Sequence, residues 1–123
     1  MLKLINEELT GQIINVAIQV HRLLGPGFLE TIYEEALCLE LAARDIQYDR
    51  QKPITVSYKE MQIGLHRIDL IVSNQVLVEV KAVSSFDQIH FAQAKSYLRA
   101  TGLKVALLLN FNSPTLEVKR FVL

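Results

Sequence analysis

Three charged residues stand inside two short apolar segments, Asp69 in HRIDLIV and Glu79 and Lys81 in VLVEVKA. The pattern is an acid, nine residues, then Glu-x-Lys. Side chains on a strand alternate between two faces. On the first segment Ile68, Leu70 and Val72 share one face, and on the second Val76, Val78 and Val80 do. The opposite parity groups Arg67, Asp69 and Ile71, and likewise Leu77, Glu79 and Lys81. If both apolar sets line one core, the segments pair as a hairpin around Ser73-Asn74-Gln75, and Asp69 falls roughly opposite Glu79. A two-residue loop would turn one strand over and spoil both faces.

Carboxylates facing each other across a sheet repel, and a shared proton or a cation relieves them. Magnesium takes oxygen ligands, typically one or two carboxylates completed by waters and phosphate oxygens. Lys81 would stand beside such an ion, where its ammonium orients or helps deprotonate a water, or neutralises phosphate charge. Phosphodiester hydrolysis needs these parts: a polarised phosphate, a nucleophilic water and charge stabilisation. The alternative is a Glu79–Lys81 salt bridge on a solvated face, with Asp69 bonded to Arg67 or a backbone amide. Ile71, Leu77 and Val83 on the same face point to partial cover and weaken that alternative.

Regular elements must hold these residues. Ile13, Ala17, Val20 and Leu24 recur at helical spacing, so a first helix runs from a cap at Asn6 to about Leu24, stopped by Gly25. After the Pro26-Gly27 turn, a second helix covers about Phe28–Arg44, its apolar stripe formed by Leu29, Ile32, Ala36, Leu37 and Leu41. Alternation then predicts strands at about Ile54–Tyr58, Gln62–Val72 and Val76–Val83. A third helix, about Phe86–Thr101, starts behind Ser84 or Ser85 and ends at Gly102. Lys104–Asn110 and Glu117–Val122 read as closing strands. The order predicts an α/β, or α+β, domain: a central mixed sheet with helices on its faces.

The helices bring further candidates. His90, Gln93 and Tyr97 lie on one stripe of the third helix, directly after the Glu79/Lys81 strand. Gln93 is placed to position a water or a phosphate, and His90 and Tyr97 to touch substrate; a helix-surface hydrogen bond is the plainer role for each. Lys95 and Arg99 form a basic pair on another face, where a solvated helix surface explains them. Glu30 sits in the first turn of the second helix, where the helix dipole alone favours an acid. Its other reading is an additional acid reaching the metal site. His21, His66 and His90 are too dispersed for a zinc site, and no phosphate-cradling glycine loop is present.

Length and composition set bounds. A chain of 123 residues, half of them hydrophobic, suits one domain with a real core. Thirteen basic and thirteen acidic residues cancel, which argues against a surface coated in positive charge for non-specific nucleic-acid binding. One cysteine, Cys38, forms no internal disulfide and fits a reducing cytoplasm. The start, MLKLINEELTG, carries acids where a signal peptide has its apolar run, and no stretch reaches membrane-spanning length. The expectation is a cytoplasmic domain with no membrane association.

Taken together, these segments resemble the GxxExxY protein family of the PD-(D/E)XK nuclease superfamily. The name-giving motif stands as Gly27, Glu30 and Tyr33 in GFLETIY, and QVHRLLGPG, HRIDLIV, VEVKA, HFAQAKSYLRATG and LLLNFNS are similar to the family in order, from about Leu9 onward. The resemblance implies a restriction-endonuclease-like core with helices on both sides of the sheet. It also implies roles: Asp69 and Glu79 as metal-binding acids with the backbone carbonyl of Val80, Lys81 as catalytic lysine, Gln93 as the glutamine of the following helix and Glu30 as the acid of the first core helix. His66 occupies a place where such sequences often carry tyrosine. The expected activity is Mg2+- or Mn2+-dependent cleavage of phosphodiester bonds in DNA. The alternative is a nucleic-acid-binding accessory module that cuts only with a partner, or never. Lack of room for a recognition domain and zero net charge fit a homodimer or a protein partner that supplies target specificity, and the apolar closing strand fits a covered edge or a dimer.

Overall fold

The computed structural model describes residues 6–123; residues 1–5, on which part of the signal-peptide argument rests, lie outside it. Helices α1 (Glu7–Leu24) and α2 (Glu30–Ala43) precede strands β1 (Tyr48–Tyr58), β2 (Met61–Val72) and β3 (Val76–Lys81). Helix α3 (Gln88–Thr101) then leads to β4 (Val105–Asn110) and β5 (Glu117–Val122). The strands form one sheet in the order β1-β2-β3-β4-β5. Every neighbouring pair is antiparallel except β3 and β4, which run parallel because α3 carries the chain back between them. This is the mixed sheet expected from the sequence, in an α+β arrangement consistent with a restriction-endonuclease-like fold.

Two cores hold the layers together. On one face, Ile13, Val16, Ala17 and Val20 of α1 and Tyr33, Leu37, Cys38 and Leu41 of α2 pack on Leu70, Val72, Val76, Val78, Val80 and alternate β4 residues. On the other, Ala94 and Leu98 of α3 pack on Ile68, Ile71, Leu77, Ala106 and Leu108. Covered on both sides, β3 and β4 read as near-continuous apolar runs. Two apolar residues of β5 are divided in the same way, Val118 against the first core and Phe121 against the second.

Several local expectations shift. Asn6 does precede α1, but it adopts a left-handed conformation (φ 55°, ψ 33°), and its side chain makes no capping bond. The buried stripe of α2 is Tyr33, Glu34, Leu37, Cys38 and Leu41, while Leu29 and Ile32 of the expected stripe are exposed. The Tyr33 hydroxyl sets that rotation by donating to the Gly25 carbonyl (2.6 Å) and accepting from the Phe28 amide (3.1 Å). It thereby clasps the turn in which Gly27 has φ 110°, a conformation for which glycine is suited. The ring stacks on Phe111 at 4.6 Å. Gly27 and Tyr33 thus have a direct structural task.

Helix α3 is capped by Asp87, not by Ser84 or Ser85, in a capping box with His90. β1 begins six residues earlier than alternation predicts, because its polar inner half faces acids on α2 rather than a core. The outer halves of β1 and β2 continue as a ribbon closed by Lys59-Glu60, both at positive φ, and leave Tyr58, Met61, Ile63 and Leu65 exposed.

Candidate active site

The β2–β3 hairpin turns at Ser73-Asn74-Gln75, and its ladder runs Val72–Val76, Ile71–Leu77 and Leu70–Val78. Continuing that register sets Asp69 opposite Glu79, as the parity argument requires. The backbone pairing stops at this point. The Val80 amide donates to Oδ2 of Asp69 at 2.8 Å, so a side chain takes up the strand's donor.

The strands also break their alternation here. Ile68 lies in the α3 core beside Ile71, not with Leu70 and Val72 as expected. The break faces Gln51 on β1, which holds φ 53° between the paired Arg50–Leu70 and Lys52–Ile68. A residue in this conformation interrupts the alternation of β1 at the same level.

Glu79 is only 5% exposed, and its Oε1 is buried without a hydrogen-bond partner. Burial first, and then the charge and hydrogen bonding of neighbouring Asp69, push its carboxyl up to about 9, against the opposing pull of Lys81. Lys81 is half-buried and does not close to ion-pair distance on Glu79, which removes the salt-bridge alternative. Asp69 has found a backbone amide as that alternative allowed, but Arg67 donates to the Gln51 carbonyl instead (3.2 Å).

The donor chemistry suits a hard dication such as Mg2+ or Mn2+: two adjacent carboxylates, one with an unsatisfied buried oxygen. No group of three His, Cys, Asp or Glu side chains converges among the described residues. The protein's side chains therefore offer two acidic ligands here, and backbone oxygen and water would complete a shell.

A family model described as the PD-(D/E)XK nuclease superfamily matches residues 7–121. The chain belongs to this superfamily. No curated protein and no solved structure matches the chain. The (D/E)XK part of the superfamily's pattern stands at Glu79-Val80-Lys81, and Ile68, before Asp69, stands where its name has proline.

Other candidates in this PD-(D/E)XK chain are placed unequally. Tyr97 lies close enough to both acids that, after burial, Glu79 and then Asp69 raise its hydroxyl above the ordinary range. Its ring stacks on His66 at 4.2 Å and 20°. Gln93 is half-buried and has no hydrogen-bond partner among the described residues. His90 accepts from the Asp87 amide through Nδ1 (2.9 Å), so this nitrogen serves the cap of α3. Glu30 is exposed at the start of α2, beside a hollow shared with Phe28, Leu29, Thr31 and Ala82.

The acid of α2 that is linked to the site by hydrogen bonds is Glu34, 4% exposed. It accepts from Arg50 Nε (2.7 Å) and from Gln51 Nε2 (2.8 Å), and the same Gln51 nitrogen reaches Asp69 Oδ1 at 3.3 Å. One signal for Glu34 was available: it occupies a position within the apolar stripe of α2, where a charge needs a partner. Nothing marked Gln51 within the polar run DRQK. Asn110, at the end of the apolar run of β4, carries no such signal either. Fully buried, it accepts from the Val83 amide (3.0 Å), donates to the Val83 carbonyl (2.9 Å) and to Glu117 (2.7 Å), and so ties down the chain just beyond Lys81.

Proposed function

We propose that the chain is a metal-dependent nuclease that hydrolyses phosphodiester bonds in DNA, with Asp69, Glu79 and the Val80 carbonyl holding Mg2+ or Mn2+. The observation that carries this reading is Glu79, a buried carboxylate with an unpartnered oxygen set against a second acid. Such an arrangement is costly in an apolar sheet unless a cation or a proton relieves it. A bound dication supplies Lewis-acid polarisation of the phosphate and lowers the pKa of water.

The chain's own groups do the rest. The Lys81 ammonium offsets charge developing on the phosphate and orients the attacking water. Gln93, with its amide uncommitted, hydrogen-bonds that water or a phosphate oxygen. Tyr97, backed by His66, forms the wall beside the acids against which a nucleotide rests. Glu30 is assigned as an additional acid of the site and His90 as a substrate contact.

A second reading is an accessory module that cuts only with a protein partner. Balanced charge favours it, because a chain with net charge zero gains little from the phosphate backbone at long range. Purified Asp69→Ala and Glu79→Ala proteins decide whether the acids act. Metal-dependent cleavage should fall at least about a hundredfold in each, since the reaction relies on the charge they hold. Cleavage equal to wild type would remove the mechanism.

A further inference from the structure

Gln51 is the residue of β1 that faces the break in the sheet, and its properties fit no ordinary strand position. It holds φ 53°, which a side chain larger than glycine or asparagine adopts at a cost. Conformations of this kind persist where the surroundings over-determine them, and they collect at functional sites. The surroundings are specific. Arg67 Nη1 donates to the Gln51 carbonyl at 3.2 Å. The side-chain Nε2 sits between two acids, Glu34 Oε1 at 2.8 Å and Asp69 Oδ1 at 3.3 Å. Ionised carboxylates accept and do not donate, so the amide presents its nitrogen to both and uses both of its hydrogens. Glu34 is in turn anchored by Arg50 Nε at 2.7 Å.

The consequence falls on Asp69. Its Oδ2 takes the Val80 amide and its Oδ1 takes Gln51, so each oxygen is held by one donor and keeps a lone pair for a cation. We propose that Gln51 is a positioning residue that, braced by Glu34 and Arg50, holds the Asp69 carboxylate ready to bind a divalent cation. The proposal rests on the reading of Asp69 and Glu79 as the cation-holding pair. Hydrogen bonds of this outer kind orient ligating carboxylates, and their loss typically lowers metal affinity about 10- to 100-fold.

The test is Mn2+ binding to the purified full chain without nucleic acid, by titration calorimetry or electron paramagnetic resonance, beside chemical denaturation of the same samples. Gln51→Gly removes the bridge and adopts φ 53° freely, so relief of backbone strain offsets part of the cost of leaving Glu34 without that donor, and the variant should still fold. Its Mn2+ affinity should nevertheless fall about tenfold or more. Gln51→Asn tolerates the same backbone but is one methylene too short to span both acids, and it should lose affinity likewise; it carries the test if Gln51→Gly fails to fold. Wild-type binding with unchanged affinity in the folded variant would overturn the proposal alone. A wild-type protein that takes up no Mn2+ would overturn the acid-pair reading and the proposal with it.

Discussion

At the scale of single residues, Glu79 connects the site to stability. Its carboxyl is pushed from an ordinary value of 4.5 to about 9, by burial first and by Asp69 second. Between those values the folded chain binds a proton that the unfolded chain has released. The stabilisation is therefore complete below the unfolded value and is lost as pH rises through the folded one. Metal-free protein is predicted to become less resistant to denaturant from pH 5 to pH 9, and Glu79→Gln, which stays neutral, should flatten the trend. Mn2+ should stabilise wild type more at pH 8 than at pH 5, because proton and cation compete for the same oxygens. Denaturant midpoints across pH, with and without Mn2+, check both; a wild-type profile indistinguishable from that of Glu79→Gln would contradict the assignment.

At the scale of elements, the turn before α2 illustrates what motif residues do. Tyr33 is fully buried and clasps Gly25 and Phe28 across a turn whose second glycine has φ 110°. Tyr33→Phe removes both bonds and is predicted to destabilise the fold by about 1–3 kcal/mol, with Mn2+ affinity of the folded protein retained. An unchanged denaturation midpoint would show that the clasp contributes nothing.

The elements legible in the sequence were those with periodic apolar residues. β3, β4 and the buried stripe of α1 announce themselves in this way, and so does the hairpin register that brings Asp69 to Glu79. The hidden parts owe their conformation to tertiary polar contacts. The inner half of β1 carries Asp49, Arg50, Gln51 and Lys52, a polar run that reads as loop because the α2 partner of Arg50 and Gln51 is distant in sequence. The face exchange of Ile68 lies across from Gln51, whose positive φ no local pattern encodes. Asp87 displaced the serines as the α3 cap because His90, three residues on, could complete the box with it.

At the scale of the molecule, one charge-balanced chain carries a mixed sheet, two helices on one face and one on the other. No helix among the described residues is long and apolar enough to cross a membrane. Both acids and Lys81 sit where β2 and β3 stop pairing, with Tyr97 of α3 near the acids and the α2 acid Glu34 linked to Asp69 through Gln51. The fold therefore concentrates its polar groups where its central strands part. Its superfamily membership says what chemistry to look for there.

The most direct measurement is cleavage of single- and double-stranded DNA and RNA by purified protein with Mg2+ or Mn2+, run beside identically prepared Lys81→Ala. Lys81 is half-buried and bears no ion pair, so its removal should leave the fold intact. Metal-dependent cutting of DNA by wild type, reduced at least about a hundredfold in Lys81→Ala, is the predicted result, in line with the loss of one preorganised charge at a reaction centre. Equal cutting by both proteins, or cutting that persists in chelator, would contradict the account.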